Sequence, residues 1–132
     1  MRKIHVILGF IVLFLATSNI ALAQCANLLT EDYISDGQYY TTKINSDEVK
    51  NCEITFIKGN EYRLIVCPHK AEKIRMEIVD KEGHLIFDNK NYDYTNYWNF
   101  RIMSSVTCTI KLSLVDDVVK TDEIVLLVGL KK

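Results

Sequence analysis

The chain has 132 residues, about a quarter of them charged, with 16 basic against 17 acidic side chains, four cysteines and a single proline. That length suits one domain with a modest core. The near-neutral, slightly acidic balance argues against a nucleic-acid partner, because phosphate binding needs clustered Lys and Arg.

The first residues have the order of an export signal. Arg2 and Lys3 precede an apolar run from Ile4 to Leu15, and Ala21-Leu22-Ala23 supplies the small residues of a cleavage site. The apolar run is short of the ~20 residues a bilayer demands, and Thr17, Ser18 and Asn19 interrupt its continuation. Residues 1–23 are therefore expected to be removed, leaving 24–132 as one domain of 109 residues, periplasmic or secreted and without stable membrane insertion. A lipid anchor on Cys25 is the competing reading, against which Gln24 stands where a small residue is wanted. The leader takes two basic residues with it, so the exported part carries 14 basic and 17 acidic groups.

The stretch from Ala26 to Ile34 is compatible with a short helical turn or an irregular lead-in. From Gln38 onward the hydrophobic period is two, the signature of half-buried strands. Cys52, Ile54 and Phe56 alternate with Glu53 and Thr55; Tyr62, Leu64 and Val66 with Arg63; Ile74, Met76 and Ile78 with Arg75 and Glu77. Lys58-Gly59-Asn60 reads as a hairpin loop, and Lys81-Glu82-Gly83 as another before Leu85-Ile86-Phe87. Trp98, Phe100 and Ile102 share a face, and Val106, Cys108, Ile110, Leu112 and Leu114 form the clearest strand. The final run, Ile124 to Leu130, is apolar on both faces and predicts a central strand. About eight strands without intervening helices predict an all-β fold, an antiparallel β-sandwich of jelly-roll type, with a closed barrel as alternative.

Four cysteines in an exported chain predict disulfides. Cys52 and Cys108 both lie on core-facing positions, and a jelly-roll order makes the second and seventh strands neighbours, so a Cys52–Cys108 bridge is expected. Cys67 points the opposite way and is left for Cys25. A zinc site is disfavoured, since there is no Cys-x-x-Cys and only His69 and His84 remain in the exported part.

Catalytic constellations are not visible. Both histidines read as solvated loop residues, no Gly-x-Ser-x-Gly elbow occurs, and the carboxylates Asp80, Asp88 and Asp93 have no distinctive spacing. The run Asn89 to Asp93 places oxygen side chains at alternate positions but lacks the glycine and glutamate of a calcium loop. No cofactor is expected. The segment from Asp88 to Trp98 is distinctive in composition: Tyr92, Tyr94 and Tyr97 are interleaved with Asn89, Asn91, Asp93 and Asn96. Aromatic rings with amide neighbours suit sugar or protein recognition. Tyr92, Tyr94, Asn91, Asp93 and Tyr97 are accordingly the candidate ligand-binding residues, with Tyr92 and Tyr94 placed on the solvent side by alternation across Asp93.

Asp36-Gly37-Gln38-Tyr39, the stretch Thr55 to Leu64, and Leu85-Ile86-Phe87-Asp88-Asn89 with Tyr97-Trp98-Asn99-Phe100 together resemble an uncharacterised family of small secreted Bacteroidota proteins. The strand order is also similar to pre-peptidase C-terminal β-sandwich domains. The resemblance implies an accessory module without chemistry of its own. Thr121-Asp122-Glu123 stands where many relatives are expected to carry a cysteine, so no disulfide pattern is carried over. The sequence thus points to a non-catalytic exported binding module for a carbohydrate or protein, with a structural component pairing through strand edges as the alternative.

Overall fold

The computed structural model describes residues 23–115 and 118–132, so the leader lies outside the described residues apart from Ala23. Eight strands follow a helical turn and a 3-10 turn: β1 (Tyr33–Asn45), β2 (Lys50–Phe56), β3 (Glu61–Pro68), β4 (Ile74–Val79), β5 (Leu85–Asp88), β6 (Tyr97–Arg101), β7 (Val106–Leu114) and β8 (Thr121–Lys131). They form two four-stranded antiparallel sheets, ordered β1-β8-β3-β6 and β2-β7-β4-β5. Successive strands alternate between the sheets except at the β4–β5 hairpin, which is the jelly-roll order, two Greek keys folded into a sandwich.

The period-two faces of the sequence make the core. Ile54 and Phe56 of β2, Leu64 and Val66 of β3, Met76 and Ile78 of β4, Ile110 and Leu112 of β7, and Leu126 and Val128 of β8 meet between the sheets. The outer face of the second sheet is polar: Thr55 and Thr107 share a hydrogen bond there, and Arg75 pairs with Asp88 at 2.8 Å. β8 is central, between β1 and β3, as its apolar run requires. Its outward residue Leu127 joins Ile65 in a second, smaller core, covered from outside by Cys25, Leu29 and Tyr33.

Two expectations change. β1 begins at Tyr33, five residues before the alternation becomes readable, because a bulge between Ser35 and Tyr39 breaks the period. The Lys58-Gly59-Asn60 turn, with Gly59 at φ 88°, does not close a hairpin; it carries the chain from one sheet to the other. A turn signal specifies a reversal of direction, and only long-range pairing decides which sheet receives the next strand. The Lys81-Glu82-Gly83 turn does close one, β4 pairing with β5.

Of the two expected bridges, Cys25–Cys67 is present and Cys52–Cys108 is not. Cys25 and Cys67 are bonded, with Cα atoms 5.8 Å apart. Cys52 and Cys108 are free buried thiols. They do lie on neighbouring strands and face the same core, but Cys52 stands opposite Ile110 and Cys108 opposite Ile54. They are diagonal rather than directly opposed, and diagonal neighbours lie ~7–8 Å apart, beyond the ordinary reach of a disulfide. Because the Cys25 sulfur is committed to Cys67, it is not available in this structure for the thioether of a lipid anchor.

Candidate functional site

The segment linking β5 to β6 is held by two side chains. Asp88, extended at φ −141°, accepts a hydrogen bond from the Lys90 N–H and starts a 3-10 turn over Asn89–Tyr92. Asn89 is fully buried and takes over where β5 stops pairing with β4. Its Oδ1 accepts from the Met76 N–H at 2.8 Å, and its Nδ2 donates to the carbonyls of Ile74 and Thr95 at 2.8 and 3.0 Å. One side chain thus stands in for a strand residue on β4 and ties down the far end of the connection. Asp93 and Tyr94 follow in the left-handed region, at φ 53° and 54°. Such backbone costs a non-glycine residue roughly 1–2 kcal/mol, and the Tyr94 N–H bond to the Asn89 carbonyl, 2.9 Å, holds it in place.

This backbone aims the rings. Tyr92 lies on Trp98 with centroids 4.3 Å apart and on Phe87 at 5.6 Å, while Phe87 stacks on Trp98 at 4.7 Å. Phe87 also meets Phe100 edge-on at 5.7 Å, and Phe100 reaches Phe56 at 6.1 Å, so an aromatic chain runs from the surface into the core. Tyr92 is its outermost member and remains 50% exposed. Beside it, Lys73 Nζ is 3.0 Å from the Asp93 carboxylate and 5.8 Å from the Tyr94 ring centroid. The bond to Asp93 raises the Lys73 pKa, so Lys73 is a cation at this end of the sandwich. Asn91 is exposed, and Tyr94 is half-buried.

Four of the five candidate residues, Asn91, Tyr92, Asp93 and Tyr94, therefore belong to one compact connection. Tyr92 is exposed as expected, but Tyr94 is only half so, because the segment is a turn with two left-handed residues rather than a strand whose side chains alternate. Tyr97 is separated from them on the outer face of the first sheet. There the Arg63 guanidinium lies between the rings of Tyr97 and Tyr33, at 4.7 and 4.2 Å, and donates to Asn99 Oδ1 and the Leu28 carbonyl.

A groove away from this connection was not foreseen. An open groove of about 680 Å³ runs beside the disulfide on the outer face of the first sheet, lined by Gln24, Thr41, Lys43, His69, Glu72 and Asn96 among others. Of its strand residues only Cys67 is legible as outward-facing, and the wall contributed by Gln24 and Cys25 depends on how the N-terminal stretch folds back, which the sequence leaves open. Among the described residues no group of His, Cys, Asp and Glu is arranged to hold a metal ion, and no helix is long and apolar enough to cross a membrane.

Fold and site together define an eight-stranded, disulfide-stapled jelly-roll domain with a rigid aromatic connection at one end. No protein-family model matches the chain, and no curated protein matches it. Among solved structures it is similar to PliG of Aeromonas hydrophila, a periplasmic lysozyme inhibitor of g-type lysozyme, with a TM-score of 0.56 and 9% sequence identity over 74% of this chain and 91% of that one. At that identity the likeness establishes the sandwich and nothing finer.

Proposed function

We propose that this chain is an exported, non-catalytic binding module that recognises a protein partner through the end of the sandwich carrying Tyr92 and Tyr94. The observation that carries the reading is the half-exposed Tyr92 ring, stacked on Phe87, tilted against Trp98 and fixed by the buried Asn89. An aromatic surface already ordered in the free protein avoids much of the entropy loss that binding otherwise imposes. The disulfide supports an oxidising compartment. The likeness to PliG supports a protein partner ahead of a carbohydrate, since the same sandwich there serves an inhibitor of an enzyme. Edge pairing has less support: β5 and β6 have four and five residues, β1 is bulged, and the free edge of β2 is engaged at Thr55 by the Gln38 side chain. Such features protect sheet edges from other chains.

Calorimetric titration with a g-type lysozyme and, separately, with chitohexaose tests this reading. Saturable binding of the lysozyme is expected, lost in the Tyr92→Ala/Tyr94→Ala double variant while cooperative melting persists. Binding of chitohexaose alone would reassign the partner to carbohydrate. A double variant without cooperative melting would show these rings to be structural and remove the site.

A further inference from the structure

The N-terminal stretch from Gln24 to Asp32 crosses the outer face of the first sheet without joining either sheet. Its Cys25 and Leu29 cover Ile65 and Leu127, which are 0% and 4% exposed. Leu29 sits in the space that a Cβ on Gly129 would fill, and the Leu28 carbonyl accepts a 2.9 Å hydrogen bond from Arg63. Ala26 and Leu28 pack against the same small core, the Lys132 N–H donates to the Asp32 carbonyl at 2.9 Å, and the Cys25–Cys67 bond, joining residues 42 apart in sequence, ties the segment covalently. None of its residues belongs to the main core between the sheets. The disulfide also lines the open groove, where Cys67 is partly exposed and Cys25 is 2% exposed.

We propose that residues 24–32 form a redox-latched strap, closed by the Cys25–Cys67 bond and released when a dithiol reductant enters the groove. One thiolate of the reductant attacks Sγ of Cys67, the more accessible sulfur; the S–S bond breaks, and Cys25 leaves as a thiolate that takes a proton from water. The second thiolate of the reductant attacks the mixed disulfide, freeing Cys67, which is protonated in turn. Two electrons have passed from the dithiol to the cystine, and the reductant departs as a disulfide. With the covalent tie gone, the ordering entropy of nine residues is opposed by the buried Leu29, the partly buried Ala26 and Leu28 and two hydrogen bonds, from Arg63 to the Leu28 carbonyl and from the Lys132 N–H to the Asp32 carbonyl, and that entropy, lost on every residue of the strap, outweighs them, so the strap lifts. Ile65 and Leu127 then lose the cover of Cys25 and Leu29, keeping that of Tyr33 on β1, while the sandwich stays folded. An apolar face on the first sheet thus becomes conditional on the redox state of the surroundings.

Dithiothreitol serves as the reductant in the test. The full exported chain, oxidised or reduced, is exposed to limiting chymotrypsin, and cleavage at Leu28 and Leu29 is followed by mass spectrometry beside the fluorescence of an apolar-surface dye. On reduction, cleavage in the strap is expected to accelerate at least ten-fold and dye fluorescence to rise, with residues 33–132 left intact. A Cys25→Ser variant should behave as the reduced protein without dithiothreitol. Unchanged strap cleavage after verified reduction would overturn the proposal, because packing alone would then hold the segment. General digestion on reduction would overturn it too, since the bond would then support the whole fold. Failure of dithiothreitol to reduce the native chain would show that the groove gives no access.

Discussion

The side-chain amide of Gln38 pairs with both backbone groups of Thr55: its Nε2 donates to the Thr55 carbonyl at 3.0 Å, and its Oε1 accepts from the Thr55 N–H at 3.1 Å. Gln38 lies within the β1 bulge and belongs to one sheet, whereas Thr55 lies on the free edge of β2 in the other. The amide imitates one residue of a neighbouring strand, and Asp36 Oδ2, 2.6 Å from Gln38 Nε2, fixes its orientation. Gln38→Ala is expected to lower stability by about 1 kcal/mol, the usual net value of an exposed pair of such bonds, and to leave the Thr55 edge open. A urea midpoint together with sedimentation at high concentration checks both parts. An unchanged midpoint and no gain in self-association would show the pairing to be incidental.

Asn89→Ala removes the acceptor of the buried Met76 N–H and the donor to the Ile74 and Thr95 carbonyls. A loss of about 3 kcal/mol is expected, because buried polar groups without partners carry their full desolvation cost. Trp98 is the only tryptophan, so its emission reports on the Tyr92 contact directly. A red shift in the folded variant is expected as the connection loosens. Unchanged emission would mean that Tyr92 holds its place without Asn89.

The difference between what was legible and what was not follows the range of the interactions. Faces were legible because period-two alternation is local: Cys67 was read as pointing away from Leu64 and Val66, and it faces Cys25. Register was not, since nothing within β2 or β7 records that Cys52 falls opposite Ile110 instead of Cys108. Tyr94 of the β5–β6 connection, half-buried where alternation placed it in solvent beside Tyr92, departs for the same reason. Its orientation is set by Asn89 bonding to β4, thirteen to fifteen residues back, which overrides any pattern inside the segment. Gln38 and Asp36 were recognisable as a motif, but their role at the β2 edge needs the neighbouring sheet.

Asp88 and Arg75 give a pH signature. Arg75, hydrogen-bonded to the Asp88 carboxylate, holds its pKa below the usual carboxylate range, helped by the Lys90 N–H and opposed by burial. A folded-state pKa below the unfolded one stabilises the protein above the unfolded value, about 3.9, and that stabilisation fades as pH falls through the folded value. Asp88→Asn should therefore be less stable than the parent at pH 7, and the gap should narrow between pH 4.5 and 2.5. Urea midpoints at those pH values measure it. A gap that stays constant with pH would assign the loss to packing instead of charge.

Cys52 and Cys108 provide the sharpest check on the strand register. Burial pushes the Cys52 thiol up to about 11 and raises Cys108 as well, with the negative charge of Asp80 adding to the second. A thiol must ionise to attack a disulfide reagent, and a thiol that is both buried and rarely ionised reacts slowly. In the folded protein at pH 8, neither is expected to react with Ellman's reagent on the timescale of a free thiol. In denaturant without reductant, two thiols per chain should titrate at once, and peptide mapping should find Cys25 joined to Cys67 and the other two modified. Raising the pH from 8 to 9.5 should speed the native reaction only where opening of β2 from β7 limits neither thiol, so an insensitive rate would identify strand opening as the limiting event. Two thiols in denaturant agree with the diagonal arrangement of Cys52 and Cys108. No titratable thiol, with Cys52 mapped to Cys108, would mean that β2 sits two residues from the register found here and that Cys52 faces Cys108 directly.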